Sequence, residues 1–313
     1  MYDLKELSGE EIHLLDRIVE GWETYGPALR DKLAIHGNVT WKTAKGAQYL
    51  VRYYRDDMGV LVNKSLGRRS PETEGIFEEF RKRRETARRT VAEGEASMAL
   101  VGRLAKAHGL ARMPAKHAEI VRAFWRESLD DQMMLFCGAS LFAYEREGRV
   151  FAPSELVKDD GLTFVLDPRA EHIALDVISD AYQDALGVTT GKIGQIDGRI
   201  TLTCAAGPAV EFVNERWLLD RVEDQRAADV LSQALREPAY RGMTIARDSR
   251  PVEIRTLDPR AYAMACGAMD DEKWTERGRF MTAVVRQAWG FEEDQESVLT
   301  AFDPDGRDSP PRM

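Results

Sequence analysis

Glu211 stands as a single acid in the apolar stretch Ala209-Val-Glu-Phe-Val213, and Asp159-Asp160 directly precede the strand-like run Leu162–Leu166. A carboxylate among apolar neighbours costs free energy unless a cation, an arginine or exposure compensates it, so Glu211 calls for a partner. A second group joins cations to aromatics: Trp41, Lys42, Lys45, Tyr49, Arg52, Tyr53, Tyr54, Lys64, Arg68 and Arg69. That mixture suits a phosphate backbone with bases stacked on rings, and it equally suits a hairpin packing its aromatics on a helix. Cys137, Cys204 and Cys266 lack CxxC spacing, and His13, His36, His108, His117 and His172 are just as scattered, so no zinc centre is expected.

The elements that would position these residues follow from periodicity and caps. Ser8 and Glu11 form a capping box before Ile12, Leu15, Ile18, Val19 and Trp22, which predicts a helix ending near Gly26-Pro27 with a short continuation to Gly37. Residues 47–66 read as a β-hairpin turning at Asp56-Asp57-Met58-Gly59. After the Ser70-Pro71 start signal, Phe77, Phe80, Ala87, Val91, Met98, Val101 and Ala105 mark one stripe of a long helix over about 72–108. Its Arg81, Lys82, Arg83, Arg84, Arg88 and Arg89 read as a solvated face interleaved with glutamate. Further on come a helix at 115–128, strands at 162–166 and 199–204, an Asp197-Gly198 hairpin turn and a strand at 209–213. Helix is expected again at 216–236, 259–269 and 275–289, a strand at 251–256, and a disordered tail from Asp303.

The chain has 313 residues, 43% hydrophobic and 31% charged, which is ample for a packed core and excludes wholesale disorder. Its net charge of −9 is uneven: residues 41–92 hold 13 Lys/Arg against 7 Asp/Glu. That polarity permits an anionic partner for the N-terminal part, while the acidic remainder would repel nucleic acid. The longest uncharged run, Gln132–Tyr144, falls short of the roughly 20 apolar residues that cross a bilayer, so no membrane partner is expected. The acidic start lacks a secretory n-region and h-region, which points to the cytoplasm. The long amphipathic helix and hairpin offer more apolar surface than they can bury alone, so a homo-oligomer or another protein partner is expected.

Three blocks carry a family resemblance: WKTAKGAQYLVRYYRDDMGVLVNKSLGRRSPETEGIFEEFRKRR, CGASLFAYEREGRVF and TLDPRAYAMACGAMDDEKWTERGRF. In this order, over about residues 41–290, they resemble an uncharacterised bacterial branch of the polymerase-β-type nucleotidyltransferases. The resemblance implies an α+β fold, a nucleotidyltransferase-type mixed sheet flanked by helices. An N-terminal helix, hairpin and long helix over 1–112 would precede an α/β core at 113–215, with a helical part at 216–302 and a tail at 303–313.

It also implies a site. Members open with a glycine and a small hydroxyl residue, matched by Gly138 and Ser140, which would cradle an NTP. Two carboxylates at alternate strand positions and a third from a neighbouring strand then hold paired Mg²⁺ ions. With Asp167-Pro168-Arg169 aligned to the family's Asp-x-Arg, the first two positions fall on Gly161 and Thr163, neither of which is an acid. Asp159 and Asp160 lie just upstream, but adjacent strand residues face opposite sides, so they do not form an alternate pair. Glu211 falls where the third carboxylate belongs. A phosphate-binding lysine of relatives is replaced by Cys266, and a charged Arg-Asp pair falls on Arg279-Phe280.

Three readings follow. In the first, the scaffold has an eroded metal site and binds a nucleotide, RNA or protein partner instead of transferring NMP. In the second, Asp160 and Glu211, with Asp159, hold Mg²⁺ for an active transferase. In the third, the N-terminal region is a nucleic-acid-binding module working through Lys42, Arg52, Lys64, Arg68 and Arg69.

Overall fold

A computed structural model describes residues 2–35, 37–55, 61–158, 161–169, 175–189, 191–196 and 198–289. The turn expected at 56–59, the acids Asp159 and Asp160, and the tail from Asp303 lie outside the described residues. The chain forms two compact units, Val19–Val101 and Met1–Ile18 with Gly102–Met313. The fold is mixed α+β, with mixed sheets flanked by helices.

Helix α1 spans Gly9–Ala34. Its capping box is present: Ser8 N–H donates to Glu11 Oε2 at 2.7 Å, and Glu11 N–H donates to Ser8 Oγ at 3.3 Å. The expected stop at Gly26-Pro27 is overruled, because Pro27 sits inside the helix. A proline there costs about 3 kcal/mol, and packing offsets it: Tyr25 lies so close to Gly94 that a Cβ on that glycine would stand 2.8 Å from the tyrosine ring.

Strands β1 (Asn38–Ala44), β2 (Ala47–Arg55) and β3 (Leu61–Arg68) form an antiparallel sheet in the order β1-β2-β3. The expected hairpin is thus two of three strands. Lys45 and Gly46, with φ of 49° and 73°, make the tight two-residue turn that adds β1. One face of the sheet meets α2 (Pro71–Ala107), with the Trp41 and Phe77 rings 5.8 Å apart. Trp41 opposes Leu50 in the ladder and Val39 opposes Arg52, so these four share that face.

In the larger unit β4 (Ala111–Met113) and α3 (Ala115–Arg126) lead to β5 (Met133–Leu135) and a 3-10 turn, Gly138–Ala143. Short helices α4 (Glu145–Gly148) and α5 (Ser154–Val157) precede β6 (Gly161–Leu166) and α6 (Leu175–Leu186). Then come β7 (Lys192–Ile196), β8 (Arg199–Thr203), β9 (Ala209–Val213), α7 (Glu215–Leu219) and α8 (Gln225–Ala234). The unit ends with β10 (Tyr240–Ala246), β11 (Pro251–Thr256), α9 (Pro259–Gly267) and α10 (Glu272–Trp289). The single helix expected at 216–236 is two, because Asp224 caps a new one by accepting from Ala227 N at 2.7 Å.

Two sheets result, β11-β10-β4 and β5-β6-β9-β8-β7. In the second, β6 and β9 run parallel while the other pairs are antiparallel. Its buried face packs on α3: Phe124 meets Phe164 and Phe212 at 5.4 and 5.8 Å, and those two rings stack at 5.7 Å. No helix among the described residues is long and apolar enough to cross a membrane.

Beside the Gly138–Ala143 turn, buried Glu145 accepts from Arg112 and from Ala152 N. Burial pushes its carboxyl up to about 7, against the opposing pull of Arg112 and that N–H. The folded chain therefore holds this proton more tightly than the unfolded chain. The stabilisation is complete below the ordinary value of 4.5 and is lost as pH rises through about 7. Urea unfolding between pH 5 and 8 should show the native chain losing stability relative to Glu145→Gln, which cannot ionise; parallel profiles would refute this.

Candidate functional site

Burial alternates along β6 and β9 as far as Phe164 and Phe212, after which Val165 and Val213, on the same face as Thr163 and Glu211, are buried as well. Leu162, Phe164, Val210 and Phe212 are buried, whereas Thr163 and Glu211 are half-exposed. Register sets Thr163 beside Glu211, Glu211 beside Thr201, and Thr201 beside Gly194, so one row crosses β6, β9, β8 and β7 with one acid in it. Arg199, two residues before Thr201 and so on the same face, donates from Nη1 to Glu211 Oε1 at 3.2 Å. The two side chains remain 36% and 32% exposed. A pair so wetted is worth under about 1 kcal/mol, so its effect is to supply Glu211 with a counter-charge more than to hold the fold.

Gly161 lies beside Ala209 in the parallel pair. A Cβ built there would stand 2.6 Å from the Ala209 carbonyl oxygen, closer than side chains tolerate, so β6 approaches β9 only because position 161 is glycine. The two positions at which the resemblance would place acids are therefore a glycine required by the backbone and a threonine.

The Gly138–Ala143 turn follows β5, whose extension Phe136 donates from N to Thr163 O at 2.8 Å. Ser140 is fully buried. Its Oγ donates to Leu135 O at 2.8 Å and accepts from Cys137 N at 3.2 Å. The hydroxyl that sequence reasoning assigned to a nucleotide thus braces its own turn. Gly242 of β10 presses on the same turn, where a Cβ would fall 2.3 Å from Ala143 O.

Helices α9 and α10 add a wall beside Phe136. Trp274 stacks on its ring at 4.9 Å, and the Arg277 guanidinium sits 4.5 Å over Trp274. Arg277 is buried, with its Nε donating to Leu156 O at 2.9 Å. Cys266, where the resemblance would place a phosphate-binding lysine, is fully buried, and burial pushes its thiol up. Of the Arg279-Phe280 pair, Arg279 is exposed and paired with Glu276, while Phe280 is core.

Two-metal chemistry requires several acidic oxygens converging on ions about 3.5–4 Å apart. Among the described residues no group of three or more His, Cys, Asp or Glu could hold a metal ion. Glu211 already faces a guanidinium, and Asp159 and Asp160 lie outside the described residues.

The five cations expected to contact nucleic acid divide between two faces. Lys42 opposes Tyr49, which opposes Arg68 on the next strand, so these three form one row. Arg52 and Lys64 oppose each other on the α2 side. Arg69 lies beyond β3, bonded to Gln48 and Glu74 and 5.2 Å from the Trp41 ring.

Sequence reasoning missed Arg199 and Arg277. The Asp197-Gly198 signal placed Arg199 at the head of a strand, but its reach to Glu211 depends on the β8–β9 pairing, which has no local signature. Arg199 also lines a cavity of about 500 Å³ with Asn214, Arg216, Trp217, Asp220 and Arg221. Comparison of the chain with protein-family models, curated proteins and solved structures finds no match.

Proposed function

We propose that the chain is a nucleotidyltransferase-type scaffold that binds a nucleotide without two-metal transfer. The observation carrying this reading is the row Thr163–Glu211–Thr201, in which the remaining acid faces Arg199 and the neighbouring position 161 is closed to any side chain by Ala209. The cavity supports the binding half. At about 500 Å³ it falls in the range of small-ligand sites, and guanidinium groups, which suit phosphate oxygens, line it: Arg199, which also faces Glu211, Arg216, which also faces Asp220, and Arg221, which lies over Trp217.

Purified chain incubated with α-labelled NTPs, Mg²⁺ or Mn²⁺ and an RNA acceptor is expected to transfer no label above a blank. Calorimetry should detect NTP binding that weakens about tenfold in an Arg199→Ala, Arg221→Ala double variant. Metal-dependent transfer, or the absence of any NTP binding, overturns the reading.

Glu211, at the place of the third carboxylate, favours a second reading: a Mg²⁺-dependent transferase that also uses Asp160. Label transfer that disappears in folded Glu211→Ala and Asp160→Ala variants would establish it.

A further inference from the structure

We infer that the solvent side of the β1-β2-β3 sheet binds a single-stranded nucleic acid, with Lys42 and Arg68 on its phosphates and Tyr49 between them against a base. This inference concerns the smaller unit alone and stands apart from the nucleotide reading. Between Asn38 and Arg68 the sequence holds six Lys/Arg and only Asp56 and Asp57 as acids, in a chain whose net charge is −9.

The ladder decides which of those cations act together. Lys42, Tyr49 and Arg68 lie side by side across three strands, on the face away from Trp41 and Leu50. Thr40, Val51 and Ser65 form the next row, so no carboxylate stands in either. Lys42 and Arg68 are exposed, and among the described residues neither side chain has an ion-pair partner. Cations near one another with no acid between them raise the local potential, and a polyanion lowers it.

The basic run on α2 is different. Arg81 pairs with Glu78 at 3.8 Å, Arg83 with Asp31 at 2.8 Å, and Arg84 donates to Asn38 at 3.0 Å. Lys82, Arg88 and Arg89 of that run have no such partner among the described residues, so what sets the row on the sheet apart is the tyrosine held between its two cations. A half-exposed tyrosine between two free cations favours unpaired strands, whose bases present a ring to stack upon; duplex bases do not.

The test is fluorescence anisotropy of the full chain with a fluorescein-labelled oligothymidylate of about 20 nucleotides, titrated over a range of salt. Binding should weaken linearly in log salt, and the slope should fall by about 0.7 for each cation removed from the row. Lys42→Ala with Arg68→Ala should weaken binding at least tenfold, and Tyr49→Leu about tenfold. Lys82→Ala with Arg89→Ala removes the same charge from α2 and should stay within about threefold of the parent, which separates this face from general electrostatics. Circular dichroism melts check that each variant is folded. Absence of binding at low salt, equal loss in the two double variants, or tighter binding of duplex than of single strand overturns the inference.

Discussion

Gly161→Asp should lose about 2–3 kcal/mol of stability, while Thr163→Asp, two residues along the same strand, should fold and acquire a response to divalent ions. At position 161 a new Cβ would meet the Ala209 carbonyl oxygen at 2.6 Å, and that oxygen belongs to the β9 backbone in register with Gly161 itself, so β6 and β9 must part. At position 163 the side chain already points to the open face beside Glu211. A carboxylate there adds a like charge next to Glu211, a penalty of up to about 1 kcal/mol that a divalent ion would relieve. Urea unfolding followed by circular dichroism gives the first quantity, and melting with and without millimolar Mn²⁺ gives the second. Equal tolerance of both substitutions, or a melting point in Thr163→Asp indifferent to Mn²⁺, would refute the account of why this row lacks acids.

Phe212→Ala is expected to cost more, about 3–5 kcal/mol, with an unchanged urea dependence. Phe212 is buried and touches both Phe164 and Phe124. The three rings join β6, β9 and α3, so removing one leaves a cavity where the parallel pair is clamped to its helix. The same clamp holds Thr163 level with Glu211. A loss below about 1 kcal/mol would mean that the surrounding chain closes over the gap and that the register has another source.

Local signals were readable wherever neighbouring residues decide the structure. Ser8 and Glu11 cap α1 as their spacing requires, and the stripe from Phe77 to Ala105 becomes α2. The strands expected on either side of 197–198 pair as β7 and β8, and the run 209–213 is β9. What failed is what distant contacts decide. Strand β10 runs parallel to β4, far earlier in the chain, and its Gly242 is pressed against the Gly138–Ala143 turn. Pro27 stays helical because α1 packs Tyr25 on Gly94, a contact with no trace in the residues around the proline. In the candidate site, the absence of acids at 161 and 163 was legible. That a backbone contact excludes them at 161, and that an arginine faces Glu211, was not.

The Arg199–Glu211 contact changes what the chain depends on. A carboxylate neutralised by a diffusing ion is neutralised only as often as that ion is available, and a chelator strips it. A guanidinium carried twelve residues away on the same polypeptide is supplied in one-to-one stoichiometry, so no chelator can remove the counter-charge of this strand.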